Sequence, residues 1–401
     1  MLRRRFFTFV SLFGIAFTMI VIMVVASLLD HTFGPHEPES KLNRMIGVYF
    51  ANMTNKNHGG YYDMGGYKLL DKHLRRLQPV EAMSIHSVVG PGYCYQNGRA
   101  QSFFVKRTDE TFWHIFDFTF LEGGPFNQRD DDNRNFVAVI NRSTRDALFG
   151  AGSSGLGRSV TVDGQTFRIV GVVKDVPFLR ATTFSDIWAP ISTAKTDAYR
   201  SEIVGSFFGT IVVKNRADIP ALRSRFAGML RQVELPPEWD KLTAGLDSPF
   251  EALAHIFFGR DQQESQPGKL LGVLFGAMFL FMLLPTVNLV NINLSRILER
   301  SSEIGVRKAF GASSRVLVGQ FVVENVALTL VGSAIGLLGS VLVLRLLTVS
   351  ALIPYAEFTM NYRIFGFAVA VALMFGVLSG VYPAWRMSRL HPVEALRGGV
   401  R

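Results

Sequence analysis

The stretch Asn288–Gly319, NLVNINLSRILERSSEIGVRKAFGASSRVLVG, joins one long apolar segment to another. Between those segments lie Arg296, Arg300, Arg307, Lys308 and Arg315, against Glu299 and Glu303. A short basic loop joining two apolar segments of spanning length is what the positive-inside rule places in the cytoplasm. Read in this way it is the chain's largest cytoplasmic surface, and the place where a cytoplasmic partner would engage.

Working outward, four segments are long and apolar enough to cross a bilayer. Residues 6–29 carry no charge and follow Arg3, Arg4 and Arg5. About 24 helical residues exceed the hydrocarbon core of roughly 30 Å. Signal-peptide cores are shorter, about 7–15 residues, so this segment reads as a retained anchor. The second span is expected at about 270–294, with Pro285 as a kink and Asn288 and Asn291 turned toward another helix. The third is expected at 321–349 and the fourth at 364–384. Gly272-x-x-x-Gly276, Gly332-x-x-x-Gly336 and Gly376-x-x-x-Gly380 place small residues one turn apart in all three. That spacing lets helix backbones approach closely in lipid and predicts a tight bundle or dimer. Four spans with an inside N-terminus return the C-terminus to the cytoplasm, where Arg386, Arg389, Arg397 and Arg401 agree with the rule.

The composition fits this mixed plan. The chain has 401 residues, 48% of them hydrophobic and 18% charged. The net charge of +10 would suggest nucleic acid if it were diffuse. From Asp30 to Lys269 there are 28 Lys and Arg against 27 Asp and Glu, a difference of only +1. The basicity is therefore topological, and no nucleic-acid partner is expected. One cysteine, Cys94, excludes an internal disulfide.

Residues 30–269 read as one exported α+β block. Strands are expected at Phe136–Ile140, Ser159–Val162, Thr166–Val173 and Thr210–Val213, with Asp163-Gly164 as a hairpin turn. Helices are expected at Gly66–Leu77 and Pro220–Val233. The run Gly150-Ala-Gly152-Ser-Ser-Gly155 mimics a dinucleotide fingerprint, and Gly152 to Ser159 mimics a P-loop. Both motifs need a strand before and a helix after, whereas here a helix-like Ser143–Leu148 leads into a strand, and Arg158 replaces the lysine. A surface loop is expected. Asp130-Asp131-Asp132 reads as a solvated acidic turn, and Phe112–Phe118 as core. The histidines lack metal-ligand spacing, so neither a catalytic set nor a metal site is expected.

Within the opening loop, Glu299, Glu303 and Arg307 fall on one helix face, Gly311 is a candidate C-cap, and Ser313 is a candidate N-cap for the next helix. The run SSEIGVRKAFGAS with the apolar segment after it resembles the FtsX-type domain of MacB-like ABC transporter permeases. The ending Tyr382-Pro383-Ala384-Trp385-Arg386 and Leu390 to Arg397 is similar to that domain's ending. Val139 to Asn141, Ala147 to Gly150 and Phe167 to Val173 resemble the family's exported core domain. The resemblance runs over nearly the whole chain and is most specific in 296–340 and 380–397.

The resemblance implies a membrane protein of four transmembrane α-helices, with a large α+β extracytoplasmic domain inserted between the first and second. Its parts would be 1–29, the tip and first span; 30–269, the MacB-like periplasmic core domain; and 270–401, the FtsX-like permease domain. The core domain would divide into 41–90 with 205–262, and 91–204. It implies a transport subunit rather than an enzyme, in a bacterial inner membrane with both termini cytoplasmic. The loop 296–320 would dock on a cytoplasmic ABC ATPase dimer through Glu299, Arg300, Glu303, Arg307, Lys308, Ala309, Phe310, Gly311 and Ala312. No cofactor would bind this chain; ATP and Mg would sit on the partner, a separate polypeptide since no nucleotide domain precedes the first span. A second permease copy or a paralogue, membrane lipids and a periplasmic membrane-fusion adaptor are the other implied partners. Export or extraction of a substrate outside the membrane is the expected role. The alternative is an FtsX-like transducer that regulates a cell-wall hydrolase.

Overall fold

The computed structural model describes residues 2–56, 59–96, 99–259, 265–299, 306, 310, 313–358 and 360–388. The chain divides into two compact units: 1–30 with 271–352 and 358–401, and 31–270 with 353–357.

The first unit is helical. Its long helices are Leu2–Phe33, Pro267–Glu299, Ser314–Val349 and Tyr362–Ser388, called the first to fourth helices below. Within them Thr8–Phe33, Pro267–Asn291, Val322–Val349 and Tyr362–Val381 are long and apolar enough to cross a membrane. Ile15, Met19, Ile22 and Met23 of the first helix pack with Met282 and Leu289 of the second and Ala368, Ala372 and Phe375 of the fourth. Large side chains such as Phe275, Leu284, Leu338 and Phe367 point outward. That inversion is stable only where the surroundings are as apolar as the side chains. The protein is a four-span membrane protein with a large α/β domain inserted between spans one and two.

The second unit is built on a mixed sheet. Among the described residues fourteen strands form one connected series. Ala82–Ser87 pairs antiparallel with Phe207–Val212, so an early strand is completed by one more than a hundred residues later. Arg99–Thr108 runs parallel to Ile187–Pro190, and Val137–Asn141 parallel to Gln165–Val173. The strand at 165–173 returns on Ser159–Val162 through Asp163 (φ 50°) and Gly164 (φ 81°), the two positive dihedrals of a tight primed turn. The helix expected over 66–77 breaks into Tyr67–Lys72 and a 3₁₀ turn, Leu74–Arg76, with Leu69, Leu70, Leu74 and Leu77 all on the core. The second expected helix is Ile219–Leu230, with Pro220 in its first turn. Phe112, Trp113, Ile115 and Phe116 are buried together around Trp188 and Phe126, so the aromatic run is core.

Polar groups are also buried in this unit. Lys106 is fully buried, and its ammonium donates to the carbonyls of Ala181 (2.9 Å) and Thr182 (2.6 Å). Burial pushes it down to about 7, against the opposing pull of Glu39. A lysine lowered on folding holds fewer protons in the folded than in the unfolded chain between that value and the free value of about 10.4. Its charge therefore costs stability most fully below pH 7, and the cost is relieved as pH rises. Wild-type stability relative to Lys106→Met should climb from pH 7 to 9 by up to about 1.4 kcal/mol per unit. Thermal melts of both proteins across that range check this; a pH-independent difference would contradict it.

Candidate functional site

The basic loop 296–320 is described only at its edges. Glu299 is the last residue of the second helix. The Phe310 amide donates to the Val306 carbonyl at 3.1 Å, and the Phe310 ring is 88% exposed. Ser313 has extended N-cap backbone at the head of the third helix but makes no side-chain capping bond. Arg300, Glu303, Arg307, Lys308, Ala309, Gly311 and Ala312 lie outside the described residues. In the sequence the exposed Phe310 ring follows the basic pair Arg307-Lys308.

Inside the bundle the glycines fall into three settings. A Cβ on Gly332 would meet Ile15 Cγ2 at 2.7 Å, and one on Gly336 would meet Met19 Cβ at 2.6 Å. These two glycines thus hold the third helix against the first. A Cβ on Gly376 would meet the Thr329 hydroxyl, and one on Gly380 the Asn325 amide, so the fourth helix approaches the third in the same way. Gly272 and Gly276 face open space.

Pro285 has no amide to donate to the carbonyl of Phe281 one turn earlier. The Thr18 hydroxyl of the first helix donates to that carbonyl at 3.4 Å. Beside it is a cavity of about 20 Å3, lined by Thr18, Thr286 and Thr329 among apolar neighbours, large enough for one water. Asn288 is half-buried and Asn291 exposed. Asn325 is the buried one, and its amide donates to Ser379 Oγ at 3.4 Å.

The segment between the third and fourth helices is the feature sequence reasoning missed. Residues 353–357 belong to the soluble unit. The Tyr355 hydroxyl donates to Asp186 Oδ1 at 2.7 Å. Asp186 also accepts from the Asn141 amide (3.0 Å) and the Phe104 backbone N–H (2.8 Å), so the phenol enters a preformed buried acceptor site. Burial, then the carboxylate, raises the Tyr355 phenol above its ordinary range. The Phe178 amide donates to the Pro354 carbonyl at 3.0 Å, and Ala356 is buried. The only local signal was a Pro-Tyr pair in a short link between spans.

The apparent nucleotide loop has a different use. Gly150 ends the helix Arg142–Phe149, and a strand follows at Ser159. The Ser154 hydroxyl (2.5 Å) and Gly155 amide (3.1 Å) donate to the Glu122 carboxylate, whose other oxygen takes Arg145 at 2.9 Å. The anion in this turn is the protein's own side chain. The acidic run is equally occupied: Asp130 completes a capping box with Asn127, and Asp131 accepts from the Ser192 amide.

Four apolar spans with a large α/β domain inserted between the first and second define the class as a polytopic membrane protein. Residues 8–228 match the model of the MacB-like periplasmic core domain, and residues 275–392 that of the FtsX-like permease C-terminal. The chain belongs to this family and is an ABC transporter permease of the MacB/FtsX type. It is 26% identical over 403 residues, 98% of its length, to the pyoverdine export ATP-binding/permease protein PvdT of Pseudomonas entomophila, and covers 57% of that protein. It is 28% identical over 280 residues, 68% of its length, to the macrolide export ATP-binding/permease protein MacB of Bdellovibrio bacteriovorus, and covers 40% of it. It is 27% identical over 301 residues, 73% of its length, to the ABC transporter permease YvrN of Bacillus subtilis, and covers 69% of it. The chain thus spans roughly half the length of the ATP-binding/permease relatives. Among solved structures, the extracellular domain of the transporter YknZ is 16% identical with a TM-score of 0.39, over 50% of this chain and 98% of that one. The periplasmic region of MacB from Actinobacillus actinomycetemcomitans is 15% identical with a TM-score of 0.35, over 46% and 85%.

Proposed function

We propose that this permease receives work from a cytoplasmic ATPase dimer, carried on separate chains that bind ATP and Mg, and spends it on moving its exported domain. Export or extraction of a substrate on the outer side of the membrane follows from that movement. The family membership implies the ATPase; the exporter names of the relatives favour an amphiphilic small molecule as cargo. The observation that carries the reading is Tyr355 on Asp186. Residues 353–357 leave the third helix and enter the fourth, yet they fold as part of the soluble unit. In this reading a tilt of those helices reaches the sheet at Asp186 through residues 353–357. The cytoplasmic end of the same third helix begins at Ser313, directly after the proposed docking residues.

In this reading Glu299, Arg300, Glu303, Arg307, Lys308, Ala309, Phe310, Gly311 and Ala312 meet the ATPase. Gly272 and Gly276, which are open in the single chain, are free to meet a second permease copy or paralogue. In this reading the exported domain divides into 41–90 with 205–262, and 91–204; one core cluster centres on Leu70 and another on Ile140, while a third joins Leu42 and Met45 to Phe112 and Trp188 across that division. A membrane-fusion adaptor would engage it from outside. Glu303→Arg or Gly311→Val should each lower ATPase co-purification or stimulated turnover several-fold while membrane insertion is unchanged. Normal association and turnover in both variants would refute the docking role.

A further inference from the structure

The helix Pro249–Phe258 stands just before the second span and is built inside out. Ser248 and Glu251 form its capping box, and Gly259 (φ 110°) ends it, so its limits are sharp. Toward the protein it buries Ala252, Ala254 and His255, with His255 Nδ1 2.9 Å from Asp247 Oδ2. Away from the protein it presents Ile256 and Phe257, 50% and 65% exposed. Phe250, Leu253 and Phe257 fall at i, i+3 and i+7 with Ile256 beside them, one continuous apolar stripe. In water a helix buries its large apolar side chains and exposes its small ones; this helix does the reverse.

Both ends of the stripe are tied to membrane spans. The Phe250 ring, in the first turn, meets the Phe33 ring edge-on at 5.4 Å. Phe33 is the last residue of the first apolar span. At the other end the second span begins at Pro267, eight residues after Gly259. An extended chain of eight residues reaches at most about 26–29 Å. The helix thus touches the last residue of the first span and stands eight residues before the second, with Ile256 and Phe257 left exposed in the single chain.

We propose that Pro249–Phe258 is an interfacial helix whose Leu253, Ile256 and Phe257 side chains enter the outer leaflet of the bilayer. It anchors this segment of the chain at the bilayer surface. The inference rests on the membrane spans and not on the ATPase, and its test uses no nucleotide, so its failure would leave the transport reading separately open.

The full chain, with Cys94→Ala, is spin-labelled at Phe257→Cys in phosphatidylethanolamine/phosphatidylglycerol vesicles, with Ile256→Cys as a second site and Ser201→Cys as an exposed reference. Power saturation should place both stripe labels about 5–10 Å below the lipid phosphates, accessible to oxygen and shielded from the nickel chelate. The Ser201 label should be fully accessible to the chelate. Stripe labels as chelate-accessible as Ser201 would overturn the proposal. Labels shielded from both reagents would overturn it too, since a second copy or another protein would then cover the face.

Discussion

Arg180→Met is expected to destabilise the protein by about 3–5 kcal/mol, the cost of stranding one partner of a buried ion pair. Arg180 Nη1 lies 3.1 Å from Glu39 Oε2, and the two side chains are 2% and 3% exposed, so solvent does little to screen them. The other Glu39 oxygen accepts from Thr183 Oγ1 at 2.8 Å. Methionine fills the volume of the arginine stem but leaves the carboxylate with a hydroxyl as its remaining direct partner. The pair joins the start of the exported block to residues 141 positions later, so its loss loosens the unit's closure. In a unit of this size about 1 kcal/mol corresponds to roughly 2–4 °C, so a fall of about 6–20 °C in Tm should be seen for the detergent-solubilised chain. Adding Glu39→Leu should recover most of the loss, because an apolar pair has no charge to strand. A single-variant change within about 1 kcal/mol would contradict this account.

Gly336→Val should have the second largest effect, this time in the bundle. A β-carbon there would lie 2.6 Å from Met19 Cβ and 3.2 Å from the Ala16 carbonyl, and a branched side chain adds two more methyls. Overpacking of this kind costs about 1–3 kcal/mol or more, and the strain is relieved by moving the third helix off the first. Gly272→Val is the matched control, since nothing lies within 4 Å of its added carbon. Detergent melts should separate the two variants clearly, and equal stability would contradict the packing role of Gly336.

The features legible in the sequence were those that repeat or run long. Apolar runs gave the four spans, and the Asp163-Gly164 turn placed a hairpin. The missed features are pairings between residues that nothing local connects. Tyr355 and Asp186 are 169 positions apart, and neither is unusual where it stands. The carbonyl left by Pro285 finds its donor at Thr18, 263 positions away from Phe281. Asn288 drew attention because it sits beside other asparagines, yet the buried amide is Asn325, admitted by the missing side chain of Gly380. A Gly-rich stretch resembled a phosphate cradle because the backbone of such a turn does bind an anion; here Glu122 supplies it.

The claim at the centre of this account is that helix movement reaches the exported domain through residues 353–357. Amide hydrogen exchange on the purified complex, with and without ATP trapped in the partner ATPase, tests it most directly. The account predicts that trapping changes exchange together in two segments: 353–358, and 178–187, whose Phe178 amide bonds Pro354. It also predicts that Tyr355→Phe removes the change in 178–187 while leaving that in the helices. A nucleotide response confined to the helices and the 296–320 loop in wild type, with 178–187 unaltered, would contradict it.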